Sequence, residues 1–344
     1  VGRTNKILFK YRLRFKIPDS ALIGAGQFGT TTISYFLYAK FKNRFKYVYD
    51  IDKSRSTKYV NIYPNTNQVE EIETILNDKD IRYVFIASNH FSHTNYAIEF
   101  LTKGIDVYCE KPISVTFDQF DTLLDAIKKS NAAFYAGYNR PFSSAIETLK
   151  KSISGSKNID GKFSLNCFVS AHDIPKDHWY RKEEEGTRIC GNAGHWIDLM
   201  IHLFNIRGSI PKSYEVQIAY SDTKESDDNI VICITTPLGD LTSITITARS
   251  EPFEGINETI NLQYDKVIVK IDDFRSVIIW DDDKLYRKKY RIKDVGHKRS
   301  VMQPFVSEKR DLNEVIASTE LMLHIADMVK VAEKNKKIEL FRSL

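Results

Sequence analysis

The chain holds only four cysteines in 344 residues, Cys109, Cys167, Cys190 and Cys233, and none of them forms a Cys-x-x-Cys pair. A disulfide framework or a zinc site is therefore not expected, no other metal site is expected, and a reducing, cytoplasmic compartment fits. Charge of one sign is also scarce: 50 basic and 45 acidic residues leave a net charge of +5. The densest basic clusters, Lys10 to Lys16 and Arg287 to Arg291, alternate with apolar residues and are explained as solvated strand faces. No basic stripe with interleaved aromatics is present, so no nucleic-acid partner is implied. No apolar run reaches the length of a membrane span, so no membrane partner is expected. Val1 to Lys16 lacks the continuous apolar core of a signal peptide. The chain begins at Val1 instead of Met, which reads as a processed or truncated start. Internal repeats and low-complexity linkers are missing too.

What is present is enough apolar material, 42% of the residues, to build two domains with substantial cores. From Ser20 the pattern alternates strand and helix. Ala21 to Ile23, Phe45 to Tyr49, Tyr83 to Ala87, Asp106 to Cys109 and Ala133 to Gly137 read as strands. Thr30 to Lys42, Asn67 to Asn77, His93 to Lys103 and Phe117 to Ser130 read as helices, with Gly104 a stop signal. Such alternation predicts an α/β Rossmann fold, a doubly wound parallel sheet, over residues 1–140, with residues 1–17 an N-terminal arm or edge strand. After residue 140 a helix at Ser144 to Ile153 leads into a run of strands between Lys162 and Trp280, interrupted by a helix at Ala193 to Phe204. Residues 141–344 are thus expected to form an α+β domain with a large, mostly antiparallel open sheet. A last helix, 312–334, is expected to pack back on it.

The organising stretch is Gly24-Ala25-Gly26-Gln27-Phe28-Gly29, which follows the first strand directly and opens a helix. Glycines at this spacing permit a tight turn, close approach of the backbone to a pyrophosphate, and close strand–helix packing. The N–H groups of the first helical turn then face the anion. Asp50 ends the second strand, where an acidic group would hold the ribose hydroxyls of NAD and repel the 2′-phosphate of NADP. Lys53 and Arg55 lie close enough to blur that preference, and a loop-capping carboxylate is the alternative.

Three further stretches carry chemistry. Ser88-Asn89-His90 and His93 follow a buried strand, at the end where ligands bind in such sheets. Ser88, Asn89, His90 and His93 are assigned to the cofactor, as are Glu110 and Lys111 of the next stretch, with His93 favoured for capping a helix or holding the loop over catalysis. Glu110-Lys111-Pro112 ends another strand. A partly desolvated Lys111 there can exchange a proton with a substrate hydroxyl beside the cofactor. In the third stretch, Asn192, His195, Asp198 and His202 share one face if the segment is helical. His195 is suited to accept a hydroxyl proton near neutral pH, with Asp198 orienting its ring.

In these motifs, together with Gly137-Tyr138-Asn139-Arg140 and Gly194-His195-x-x-Asp198, the chain resembles the glucose–fructose oxidoreductase / inositol dehydrogenase / MocA family over residues 20–200. The stretches Ile174 to Trp179 and Gly186 to Ile189 resemble a branch acting on sugars and nucleotide sugars. The resemblance implies bound NAD, with NADP possible. It implies reversible hydride transfer to or from a secondary alcohol of a sugar, cyclitol or nucleotide sugar, and a homo-dimer or homo-tetramer built through the open sheet. By position, Lys111 matches the family's catalytic lysine and His195 its catalytic histidine. Tyr138, Asn139 and Arg140 match a stretch beside the substrate pocket, and Trp179, Arg188 and Asn192 are assigned to the substrate with them. Lys176, His178, Arg181 and Arg188 together suggest a receiver for a carboxylate or diphosphate. One departure stands out. Family members often carry Asp or Glu three or four residues before the histidine, where this chain has Gly191 and Asn192. Asparagine cannot take a proton, which keeps two alternatives open: a dinucleotide-binding regulatory or scaffold protein without turnover, and an enzyme that uses NAD transiently for elimination.

Overall fold

The computed structural model describes residues 18–42, 44–156, 160–221, 227–252, 255–307 and 309–344. The expected N-terminal arm, residues 1–17, lies outside the described residues. The first part of the chain forms a six-stranded sheet in the order β3-β2-β1-β4-β5-β6. Its strands are β1 (Ser20–Ile23), β2 (Phe45–Tyr49), β3 (Asn67–Gln68), β4 (Tyr83–Ile86), β5 (Asp106–Cys109) and β6 (Phe134–Ala136). Every neighbouring pair runs parallel. All four residues of β1 are buried, because helices cover both faces of the sheet. The strand order reverses between β1 and β4, and the crevice outside the strand ends opens at that switch point.

Helix α1 (Ser34–Phe41) is entered through a π-helical turn, Gly29–Ile33, in place of a regular helical start. Helix α2 (Lys53–Ile62) has no counterpart in the sequence reading. It buries only Ser56 and Tyr59, so it shows no apolar stripe, and its one local signal is Asp52, whose side chain caps Ser54 N. Conversely, the helix expected over Asn67 to Asn77 is a correction. Asn67 and Gln68 pair with β2, Val69 N extends that ladder to Val48 O, and only α3 (Glu73–Leu76) is helical. The residue that α3 buries is Ile75, off the expected face. Helices α4 (His90–Thr102) and α5 (Phe117–Lys129) follow the pattern closely. Thr116 caps α5 from Gln119 N, with Asp118 in its first turn and Lys128 and Lys129 in its last, which suits the helix dipole.

Beyond α6 (Ser144–Ser156) the chain builds a nine-stranded sheet, ordered β14-β13-β12-β11-β7-β10-β9-β8-β15, in which β8 is Ser213–Tyr220, β9 Ile230–Thr235, β12 Val267–Asp272 and β13 Ser276–Asp281. The central strands are β7 (Phe163–Ser170), β10 (Leu241–Thr247) and β11 (Asn257–Tyr264). Only the β7–β10 pair is parallel. Along β7, Phe163, Leu165, Cys167 and Val169 are buried while Ser164, Asn166 and Phe168 are exposed. That period of two means one covered face. Helices α7 (Gly194–Arg207) and α9 (Leu312–Lys330) supply the cover, with the short α8 (His297–Val301) between them in sequence. Two strands have no counterpart in the sequence reading. All six residues of β14 (Lys284–Lys289) are exposed, and β15 (Asn335–Glu339) buries only Ile338. β14 shows no alternation and β15 carries a single apolar residue among polar ones, so a hydrophobic pattern does not reveal them. One apolar cluster runs from Ala21 and Val84 through Trp196 to Ile338, joining one face of the six-stranded sheet to the covered face of the nine-stranded sheet, while Leu22, Val48 and Phe85 on the opposite face belong to a second cluster.

Candidate functional site

A crevice of about 770 Å³ opens at the switch point of the parallel sheet. Its floor is the glycine loop. Gly24 has φ +94°, and a Cβ there would strike the Ala87 carbonyl and Ser88 N. A Cβ on Gly29 would strike the Gly24 carbonyl, so loop and helix start are packed backbone to backbone. Gly26 differs: nothing lies within 4 Å of a Cβ built on it, and it lines the crevice. A side chain at 26 would displace whatever occupies the crevice instead of protein. Asp50 ends β2 and also lines it, with Oδ2 accepting from Ala25 N at 2.7 Å and Oδ1 from Asp52 N at 2.9 Å. It caps the loop as the alternative reading held. Each oxygen keeps a second lone pair free to accept. Of the two nearby cations, Arg55 lines the crevice and Lys53 pairs with Glu70 at 3.0 Å. These residues fit a dinucleotide: an open glycine face, a helix start, and an acid at the end of the second strand.

The loop after β4 forms one wall, with Ser88, Asn89 and His90 lining it. Its partner is a residue the sequence reading missed, Glu185. The Glu185 carboxylate accepts from Asn89 Nδ2 at 2.5 Å and from Phe91 N at 3.0 Å, while its carbonyl meets His90 Nδ1 at 3.0 Å. Ninety-six positions separate Asn89 from Glu185, so no local pattern could pair them. His93 also lines the crevice, but its Nδ1 meets Pro112 O at 2.8 Å and its Nε2 meets Ser88 O at 3.1 Å. Burial lowers it to about 4, so the ring is neutral and its single N–H donates to one of these two carbonyls at a time.

The end of β5 brings Glu110 and Lys111 to the crevice. Lys111 Nζ donates to Gly191 O at 2.7 Å. Burial draws its ammonium down to about 8, Glu110 opposes that shift, and Arg140 adds to it. Burial raises the Glu110 carboxyl, against the pull of Lys111 and a bond from the Tyr108 hydroxyl at 2.8 Å. The turn that Lys111 reaches, Ile189–Ala193, is π-helical and leads straight into α7 with His195 in its first turn. His195 is buried, packs edge-on to Tyr138 at 6.2 Å, and has no hydrogen-bond partner for Nδ1. Burial, with the positive charges of Arg140 and Lys111, holds its imidazolium well below the usual range, so the ring is neutral. His195 does not line the crevice itself. The second sheet's contribution to that wall is Trp179, Lys182 and Glu185.

Several expected site residues are tied down elsewhere. Arg140 makes a two-pronged ion pair with Glu258, at 2.7 and 2.8 Å, and lies over the Trp196 ring, whose Nε1 donates to the same carboxylate at 2.7 Å. Arg188, 1% exposed, pairs with Asp228 at 2.7 Å, and Arg181 reaches the same carboxylate at 2.8 Å. The suggested anion receiver therefore loses two of its four cations to a buried aspartate. Lys176 and His178 are exposed. Asp198 does not orient His195: its Oδ1 accepts from Arg310 at 2.9 Å and Ser318 at 3.0 Å. His202 pairs with Glu314 at 2.8 Å. His195, Asp198 and His202 do lie on one helix, α7, whereas Asn192 leaves the expected face because residues 189–193 form a wider turn. Tyr138 is buried with its hydroxyl toward Met322 Sδ, and Asn139 Nδ2 donates to Val295 O at 2.7 Å. Asn192 accepts from the Tyr180 hydroxyl at 3.3 Å.

Residues 19–138, the span that builds the loop, Asp50 and Lys111, match the model of a family described as an oxidoreductase family with an NAD-binding Rossmann fold. That match covers the parallel-sheet part of the chain, and over that span the sequence is similar to this family. Among curated relatives, scyllo-inositol 2-dehydrogenase (NADP(+)) of Bacillus subtilis is 25% identical over 179 residues, 51% of this chain and 50% of that one. Levoglucosan dehydrogenase of Pseudarthrobacter phenanthrenivorans is 30% identical over 143 residues, 40% of this chain and 36% of that one. The first of these and its nearest peers match over about half of their own length. In fold, the likeness covers nearly everything. A levoglucosan dehydrogenase complexed with NADH and L-sorbose superposes with a TM-score of 0.74 at 15% identity, over 94% of this chain and 99% of that one. GenD2 from gentamicin A biosynthesis, in complex with NAD, gives 0.74 at 16% identity, over 94% and 96%. Among the described residues no group of His, Cys, Asp or Glu could hold a metal ion, and no helix is long and apolar enough to cross a membrane.

Proposed function

We propose that the chain is an NAD(P)-dependent dehydrogenase that oxidises a secondary alcohol of a sugar or cyclitol. The observation that carries this reading is the bond from Lys111 Nζ to Gly191 O. It ties a crevice-lining ammonium of the first sheet to the turn that delivers His195 from the second. The relatives named as inositol and levoglucosan dehydrogenases support the substrate class.

When bound, the nicotinamide supplies the hydride chemistry. Gly24 to Gly29 and the start of α1 would hold its pyrophosphate, Asp50 its adenosine ribose, and Ser88, Asn89 and Glu110 the nicotinamide end. NAD is favoured because Asp50 faces the ribose position. Arg55 beside it keeps NADP within reach. His195, held neutral, accepts the substrate hydroxyl's proton. Lys111, still charged at neutral pH but with a loosened proton, stabilises the developing alkoxide. We take residues 1–140 as the cofactor unit and 141–344 as the substrate unit. The exposed face of the nine-stranded sheet, with Phe168, Leu241 and Ile268, is the surface through which a homo-dimer or homo-tetramer would form. The four free thiols suit a reducing, cytoplasmic setting.

The test is to incubate the protein with NAD or NADP and a panel of cyclitols, aldoses and nucleotide sugars, and to follow reduced cofactor by absorbance. Turnover on a polyol is the expected result. A second reading, a dinucleotide binder without turnover, draws on Gly191 and Asn192 standing where an acid is common. Retained cofactor affinity with no reduction across the panel would establish it. Deuterium uptake into a sugar without net reduction would instead show transient use of NAD.

A further inference from the structure

Gly191 is glycine for a reason that the loop geometry makes visible. A Cβ built on it would collide with the hydroxyl oxygen and the adjoining ring carbon of Tyr180. The phenol end of Tyr180 therefore occupies the volume into which a side chain at 191 would grow. Two observations relate that volume to the crevice, which Tyr180 itself does not line. The carbonyl of the same glycine receives Lys111 Nζ at 2.7 Å, so phenol and ammonium converge on one residue. The Tyr180 ring packs edge-on against His90 at 4.8 Å and Trp179 at 5.3 Å, both of which line the crevice.

We propose that Tyr180 is a substrate-contacting residue, whose hydroxyl meets a polyol oxygen next to Lys111 and replaces a side chain at position 191. The inference rests on the dehydrogenase reading above. The hydroxyl is suited to the task. Its bond to Asn192 Oδ1 is 3.3 Å, long for an O–H donor, so the proton is loosely held and can turn to an incoming oxygen. Its lone pairs can accept from a second hydroxyl. Burial lifts the phenol above its ordinary range, which keeps the proton on it as a donor. The short turn that carries it, Trp179–Arg181, is fixed by Arg181, which reaches Asp228 at 2.8 Å and Ile174 O at 2.6 Å. A neutral donor held on a rigid turn suits a neutral polyol better than a carboxylate or diphosphate.

Tyr180→Phe removes the oxygen and keeps the ring. The expected result is a fall of about tenfold in kcat/KM for the best polyol, with cofactor affinity within about twofold of the parent protein. The effect should vanish for the monodeoxy polyol that lacks the contacted hydroxyl, which a packing role would not bring about. Tyr180→Ala combined with Gly191→Asp restores a polar group from the other residue and should recover part of the loss. A Tyr180→Phe protein as active as its parent overturns the proposal while leaving the dehydrogenase reading intact. Equal losses on every deoxy analogue, or lost cofactor binding, also overturn it. If the parent protein oxidises no polyol, the dehydrogenase reading fails first. Calorimetric affinity of the NADH-loaded proteins for the same polyols then decides, with unchanged affinity in Tyr180→Phe, or no binding to either protein, counting against Tyr180.

Discussion

In the six-stranded sheet the site residues stand at the carboxyl ends of short buried strands, whereas around the nine-stranded sheet they stand on turns that buried ion pairs hold in place. Asp50 follows β2, Ser88 and Asn89 follow β4, and Glu110 and Lys111 follow β5. Their positions are set by parallel backbone ladders, which are neutral and periodic. Tyr180, Asn192 and His195 have no such ladder. Asp228 holds Arg181 and Arg188, Asp227 takes Arg188 N at 2.8 Å, and Glu258 holds Arg140 and Trp196. Ladders tolerate substitution of individual side chains. A buried ion pair does not, because removing one partner leaves a desolvated charge. The two halves of one crevice should therefore fail differently when mutated.

The sharpest way to break that contrast is Lys111→Ala. Turnover should fall by up to about 10⁴-fold while NAD affinity changes little, because in the proposed role the lysine acts on substrate and the crevice is built by the ladder. If affinity collapses as well, the Lys111–Gly191 bond is a structural tie between the halves. Next in size is Glu258→Ala, which strands Arg140 and unpairs Trp196. It should cost about 3–5 kcal/mol of stability, seen as a lower denaturant midpoint. Asp50→Ala, the matching change in the first half, loses two bonds from backbone amides and should cost about 2 kcal/mol, together with NAD affinity. Equal costs for the two would erase the distinction. Smaller again is the pH dependence. Lys111 must be charged and His195 neutral for oxidation in the proposed roles. His195 is already neutral well below its ordinary 6.5, so kcat/KM should not fall on the mildly acid side. It should fall as pH rises past about 8, where Lys111 loses its proton, instead of near the ordinary 10.5. A rate that climbs through that region would make Lys111 the proton acceptor.

The same contrast decides what could be read from sequence. The glycine loop, the strand ends and the helices α4 and α5 are local patterns in which apolar runs, caps and stops lie within a few residues of one another. The alternation of β7 and β10 is equally local. What escaped depends on partners far along the chain. Arg140 reads like a pocket cation until Glu258, 118 residues on, neutralises it, and Arg188 until Asp228 does so. Asp198 turns from His195 to Arg310 for the same reason. The π turn at Ile189–Ala193 shifts the phase of Asn192, and no periodicity announces it. Exposed β14 and polar α2 bury too little to leave a pattern. Gly191 was legible only as an absence; what fills its place is Tyr180, eleven residues earlier on another turn.

Glu185 lies on the boundary between the two modes and gives the finest test. It belongs to the turn Glu183–Glu185 on the second half, yet its carboxylate accepts Phe91 N in the first turn of α4. It thus does from a distance what an N-cap residue does locally, and Asn89, which occupies the cap position, makes no side-chain cap of its own. An anion at a helix start is favoured by the unpaired N–H groups and the helix dipole, so losing it should cost about 1 kcal/mol. Glu185→Ala should lower the denaturant midpoint by that amount. Glu185→Gln keeps an acceptor for Phe91 N and should recover most of it. If the bond serves mainly to hold the two halves together across the crevice, Glu185→Ala should also weaken NAD binding, and hydrogen exchange at the start of α4 and in the 179–186 turn should rise together. Faster exchange confined to α4 would mean that the Glu185 carboxylate is only a cap, and that the Lys111–Gly191 bond and the Glu185 carbonyl at His90 tie the halves at the site.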